Sequence, residues 1–172
     1  MPNRDKSIEL LNKAIADELS AVHQYMYFHF HCDDQGYDML AGIFKKTAIE
    51  EMIHIETLAD RVLFLNGEIE MVANASVEKI TEVEKMLEFS ANSENDAIEM
   101  YNDFALQCSQ NKDSATKKIF EGLVADEERH FDQFDNEMEN LQKFGDRYLA
   151  LQSVERGKSI STMPPGHPVI NE

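Results

Sequence analysis

The chain carries two copies of one short motif, Glu51-x-x-His54 and Glu127-x-x-His130. Residues three apart share one face of an α-helix, so each motif sets a carboxylate and an imidazole about one turn apart. Two further acids sit inside apolar stripes, Glu18 between Ile15 and Val22 and Glu94 between Ala91 and Ile98. A lone Glu-x-x-His usually belongs to a solvated helix face. Two copies in register with two more acids, all amid apolar positions, are hard to produce by chance. Four carboxylates facing one core repel one another and are costly to desolvate, and no Lys or Arg falls on the same stripes. Two divalent cations would balance them, with carboxylate oxygens bridging the ions and one imidazole capping each. A mixed oxygen and nitrogen set suits iron or manganese better than structural zinc, whose closed sites are often rich in Cys.

The elements that must position these groups are helical. Proline occurs only at Pro2, Pro164, Pro165 and Pro168, so the long interior lacks that helix breaker. Apolar residues recur at helical spacing in four stripes, represented by Ile8, Leu11, Ile15 and Leu19, by Phe44, Ala48, Ile55 and Leu58, by Leu87, Ala91, Ile98 and Tyr101, and by Phe120, Leu123, Phe131 and Phe134. The pattern predicts an all-α four-helix bundle with helices over 5–34, 37–65, 78–110 and 113–143. Asp33-Asp34-Gln35-Gly36 and Asn111-Lys112-Asp113-Ser114 are short turns that make two antiparallel hairpins, while 66–77 is a long crossover between helices 2 and 3. A short fifth helix is expected from Asp146 to Arg156, giving a folded domain over 1–156 and a flexible tail over 157–172. Sliding the chain by 76 residues pairs Glu18 with Glu94, Tyr25 with Tyr101, Phe44 with Phe120, Glu51 with Glu127 and His54 with His130, so the two hairpins are internal repeats.

Composition narrows the partners. The chain has 172 residues, 33 acidic against 16 basic, a formal charge of −17, and 42% hydrophobic residues, enough for a folded core. So acidic a chain argues against nucleic acid or an anionic membrane as partner and suits cations. Neither a signal-peptide core nor an apolar run of membrane-spanning length is present, and cytoplasmic localisation is expected. Cys32 and Cys108, far apart in sequence, form no disulfide framework or Cys-x-x-Cys site and are expected to be reduced thiols.

The set of one Glu from each of two helices and Glu-x-x-His from the other two is the arrangement known from ferritin-like di-iron carboxylate proteins. Over about residues 8–152 the chain resembles the bacterioferritins, in ELSAVHQY around Glu18, AIEEMIHIE around Glu51, ADEERHFD around Glu127 and GDRYLA after helix 4. The resemblance implies a ferritin-like fold and a di-iron (Fe2+/Fe3+) ferroxidase centre in each subunit. Glu18 and His54 would be terminal ligands to one iron, Glu94 and His130 to the other, with Glu51 and Glu127 bridging. It further implies oxidation of Fe(II) by O2 or H2O2, storage of the ferric product inside a homo-oligomeric shell of twenty-four subunits, and a ferredoxin-type reductant for iron release.

Tyr25 matches a family tyrosine beside the di-iron site, where it would supply an electron or a hydrogen bond; its other reading is a core tyrosine. Met52 lies about 100° around its helix from Glu51 and breaks the internal repeat, because its counterpart is Glu128. By resemblance Met52 is a ligand to the iron of a haem, of b-type or a related porphyrin, shared across a two-fold subunit interface; by residue type alone it is an adaptable interface methionine. Lys46 stands where some members place an iron-handling His, with Glu50 an acid nearby. His23, His29 and His31 read as exposed or interface residues rather than ligands. Two other functions use the same constellation: a twelve-subunit mini-ferritin for oxidative protection, and a non-storage di-metal peroxide reductase, whose usual Cys-rich iron module is missing here.

Overall fold

A computed structural model describes residues 4–161, with side chains as far as residue 154. Five helices follow in order, α1 (Arg4–Asp34), α2 (Asp38–Phe64), α3 (Val83–Gln110), α4 (Ser114–Phe144) and α5 (Asp146–Ser161). Among the described residues there is no strand, and no helix is long and apolar enough to cross a membrane. α1 packs along α2 and α3 along α4, and the two hairpins meet through α1 against α3 and α2 against α4. This is the all-α four-helix bundle of the sequence pattern. α5 follows a break at Gly145, whose φ of 56° and ψ of −139° suit a residue without Cβ, and it docks partly on α2, where the Gln152 carboxamide oxygen accepts from the Leu40 amide at 3.3 Å. α5 runs to Ser161, past the boundary at 156 expected for the folded domain, and residues 162–172 of the expected tail lie outside the described residues.

The third helix corrects the sequence reading. It begins at Val83 rather than at 78, because the residues before it are bonded elsewhere. The Gln24 side chain on α1 donates to the Glu78 carbonyl at 3.0 Å and accepts from the Glu78 amide at 2.7 Å. The Ile80 amide then closes a tight turn onto the same carbonyl at 2.9 Å.

Further stitches hold the crossover to α1. Asn12 donates to the Glu68 carbonyl at 2.9 Å and accepts from the Glu70 amide at 3.1 Å, and the Ser20 hydroxyl accepts from the Asn74 and Ala75 amides, both at 3.1 Å. The Ala16 carbonyl takes a further bond from the Asn74 amide at 3.1 Å. Positions 12, 16, 20 and 24 are four apart and line one face of α1, so a helix side supplies the partners that a neighbouring strand would otherwise provide. Gly67 starts the run against α1 so closely that a Cβ would lie 2.8 Å from Ile8.

The apolar core is in two parts. One cluster holds Leu11, Ile15, Leu58, Tyr101, Phe104 and Phe120, the other Tyr25, Phe28, Leu40, Phe44, Met86 and Phe134. The repeat is visible in their aromatics. Phe28 packs edge-on to Phe44 with centroids 5.2 Å apart, and Phe104 edge-on to Phe120 at 5.4 Å.

One end of the bundle is tied by Asp113, the N-cap of α4. Its carboxylate accepts from the Thr116 amide at 3.2 Å, the Thr116 hydroxyl at 2.7 Å, the Ser7 hydroxyl of α1 at 2.8 Å and the Arg61 guanidinium of α2 at 2.8 Å. Burial pushes the carboxyl up, but the bonds from Thr116 and Ser7 and the Arg61 charge outweigh it and hold Asp113 below its usual range. Asp113→Ala removes a cap and strands a half-buried guanidinium, so metal-stripped protein should lose about 3 kcal/mol in urea unfolding, and Asp113→Asn should lose less. A lowered native pKa stabilises above the unfolded value and loses that contribution as acid protonates the native group. The parent's advantage over Asp113→Asn should therefore be full above about pH 4 and shrink below it.

Candidate metal centre

Between the two apolar clusters lies a polar layer built by all four long helices. α1 contributes Glu18, α2 Glu51 and His54, α3 Glu94, and α4 Glu127 and His130, every one of them buried. Helical spacing turns these six side chains inward with the apolar residues of their stripes, so packing the stripes brings them together. The structure gathers them into two overlapping groups: Glu18, Glu51, His54 and Glu127, and Glu51, Glu94, Glu127 and His130. Each offers ligand-type atoms within 4.8 Å of one another. Nδ1 of His54 lies 2.8 Å from Glu51, 3.2 Å from Glu127 and 3.3 Å from Glu18. Nδ1 of His130 lies 2.9 Å from Glu127, 3.1 Å from Glu51 and 3.9 Å from Glu94. Glu51 and Glu127 stand in both groups, one oxygen toward each histidine.

The donor set fits two cations. Both carboxylate oxygens of Glu51, Oε1 of Glu127 and Nδ1 of His54 are buried and, although close to one another, make no well-directed hydrogen bond. Such orphaned atoms are rare in native interiors and call for a counter-charge. Burial, with the neighbouring Glu51 charge, holds Glu18 and Glu94 well above the usual carboxylate range. Burial alone would lower both imidazoles; the carboxylates outweigh it, raising His54 through Glu127, Glu18 and Glu51, and His130 to about 11 through Glu127 and Glu51. Burial likewise raises Glu127, but His130 and His54 outweigh it and hold it at about 2. Without metal, protons on these side chains take the part of the cations, and metal uptake must displace them.

Two tyrosines brace the layer in mirror fashion. The Tyr25 hydroxyl of α1 donates to Glu94 on α3, and the Tyr101 hydroxyl of α3 donates to Glu18 on α1 at 2.6 Å. Tyr101 is a site residue that sequence reasoning passed over, although the repeat pairs it with Tyr25. Behind the imidazoles stand two acids that are also one repeat apart. Glu50 lies 2.8 Å from Nε2 of His130, and Asp126 lies 3.5 Å from Nε2 of His54. Of the two, the sequence marks only Glu50, an acid near Lys46, whose ammonium lies 3.7 Å from it.

A cavity of about 170 Å³ reaches this layer between α1, α3 and the crossover, lined outward by Asp17, Gln24, Asn74, Ser76 and Asp96. Asn74 donates to Asp17 at 3.1 Å. Met52 lies outside the centre, on the solvent face of α2 and 48% exposed, beside exposed Ile49 and Ile53. His23 is exposed, His29 faces the Ala41 carbonyl at 2.9 Å and His31 packs on Tyr27; none of the three joins a ligand group. Cys32 and Cys108 are free and buried, and burial pushes their thiols up to about 12 and about 11, which makes both poor nucleophiles.

Residues 8–144 match the ferritin family, described as a ferritin-like domain. The bacterioferritin of Desulfovibrio desulfuricans is 38% identical over 145 residues, 84% of this chain and 81% of that protein. The bacterioferritin of Brucella melitensis is 33% identical over 90% of this chain and 96% of its own length. The X-ray structure of the D. desulfuricans protein, whose diiron site was captured in different catalytic states, superposes with a TM-score of 0.86 at 37% identity, covering 87% of this chain and 88% of that one. Bacterioferritin BfrA of Mycobacterium tuberculosis superposes with a TM-score of 0.84 at 27% identity, covering 91% and 99%. By its domain match the chain is a ferritin, and by fold and by sequence over most of its length it belongs to the bacterioferritins.

Proposed function

We propose that the chain is an iron-storing ferroxidase in which Fe(II) is bound as substrate by the six buried residues, with Glu18 and His54 terminal on one ion, Glu94 and His130 terminal on the other, and Glu51 and Glu127 bridging. The observation that carries this reading is the sharing of Glu51 and Glu127 by both ligand groups. A bridged iron pair supplies two electrons to one molecule of O2 or H2O2, and that is the chemistry the site gains when loaded. The protein's own residues do the rest. Tyr25 and Tyr101 donate to Glu94 and Glu18, which orients each terminal carboxylate and sets the Tyr25 phenol one hydrogen bond from a proposed ligand, where it would act as an electron source. Asp17 and Asp96 give the approach cavity a negative lining that favours Fe(II). The apolar clusters on either side keep bulk water from the layer.

The ferric product is cargo, held in a homo-oligomeric shell of twenty-four chains. The formal charge of −17 per chain, repeated around a shell, makes a cation-collecting surface, and α5 favours the larger shell over a twelve-subunit one. Met52 supports a haem reading because its thioether is free on α2 rather than packed in the core. Across a two-fold axis two copies would clasp one haem iron. A ferredoxin-type partner would return electrons for release.

Aerobic addition of Fe(II) should give a rapid ferric absorbance rise that saturates near two irons per chain, one for each ligand group, followed by slower mineral growth. Glu94→Ala should abolish the rapid phase, and an unchanged rapid phase would refute the ligand assignment. Native mass should be about twenty-four times the 19.7 kDa chain; a dimer would favour a peroxide reductase and a dodecamer a mini-ferritin. Protein expressed with added haem should show a Soret band that Met52→Leu removes while the rapid phase persists. A supplemented parent without that band would exclude haem alone.

A further inference from the structure

Behind the histidines, on the α2 and α4 side of the centre, the bracing crosses between hairpins. Glu50 of α2 holds Nε2 of His130 on α4, at 2.8 Å, while Asp126 of α4 faces Nε2 of His54 on α2, at 3.5 Å. One guanidinium joins the two acids: Nη1 of Arg129 lies 3.1 Å from Glu50 and Nη2 lies 3.2 Å from Asp126. The internal repeat offers no counterpart, because the residue one repeat before Arg129 is Ile53, which is exposed. A single fork thus serves both halves of a nearly symmetric site.

We propose that Arg129 is a positioning residue for the metal centre, its two prongs holding Glu50 and Asp126 against the outer nitrogens of His130 and His54. This rests on the reading of the six buried residues as ligands. A carboxylate that accepts the Nε2 proton leaves the lone pair on Nδ1, the nitrogen that faces the carboxylate layer, and makes it a stronger donor. The guanidinium fork suits the task because its two prongs reach two acids in a fixed plane, which a lysine's point charge cannot do. The shorter contact behind His130 implies that the ion of the His130 group is bound more firmly than that of the His54 group.

Charge alone predicts the opposite result on removal of Arg129. A cation near the centre repels metal ions, so its loss would tighten binding if it acted only through its field. The sign of the change therefore separates positioning from field.

The test is an anaerobic titration of the full chain with Co(II), following its visible absorption, beside thermal unfolding of the metal-free protein. The parent should bind two Co(II) per chain in two unequal steps. Arg129→Ala should still bind two, with affinity about fivefold weaker, an altered band and an unchanged melting temperature. Arg129→Lys should recover part of the loss or none. Equal or tighter binding by Arg129→Ala, full recovery by Arg129→Lys, or an affinity loss matched by a fall in melting temperature would each overturn the role of Arg129 and leave the ligand reading standing. A parent that takes up no Co(II) would overturn both.

Discussion

Everything in this bundle is arranged around four carboxylates that a helical core would ordinarily reject. Glu18, Glu51, Glu94 and Glu127 are buried at mid-height, where each unpaired charge costs several kcal/mol. The fold meets that cost in one plane only. Above and below it the interior is apolar and aromatic, with Phe28 on Phe44 at one end and Phe104 on Phe120 at the other. Long helices without proline follow from the same demand, because a kink would turn one member of a Glu-x-x-His pair out of the layer.

The layer itself keeps the symmetry of the 76-residue repeat, and departures collect around it. Tyr25 and Tyr101 exchange partners across α1 and α3, and Glu50 and Asp126 do so across α2 and α4. Outside that inner set the halves diverge: Met52 answers to Glu128 and Arg129 to Ile53. The inner set shares one buried layer of charge, whereas each outer face meets a different environment, so only the former is constrained to match.

The helices, the hairpins and the six buried residues were legible because apolar periodicity and the doubled motif are local signals. The start of α3 was not. Its delay to Val83 depends on Gln24, a polar side chain on a distant helix that nothing in the sequence marks as a partner for Glu78. Asn12 and Ser20 look equally like solvent-facing residues until the crossover lies beside them. Tyr101 differs: the repeat pairs it with Tyr25, so its place at the site is written in the sequence. Arg129 was invisible for the opposite reason, since it departs from the repeat and its two acids sit on different helices.

Each ligand group draws three residues from one hairpin and one from the other, Glu127 completing the group of Glu18, Glu51 and His54, and Glu51 completing that of Glu94, Glu127 and His130. Neither hairpin can hold an ion with a full set by itself. With these residues as ligands, loading would act as a proofreading step on folding, for a chain whose halves have docked out of register presents only incomplete sites. On the proposed ligand assignment, redox-active iron would be retained only where the tertiary structure is finished.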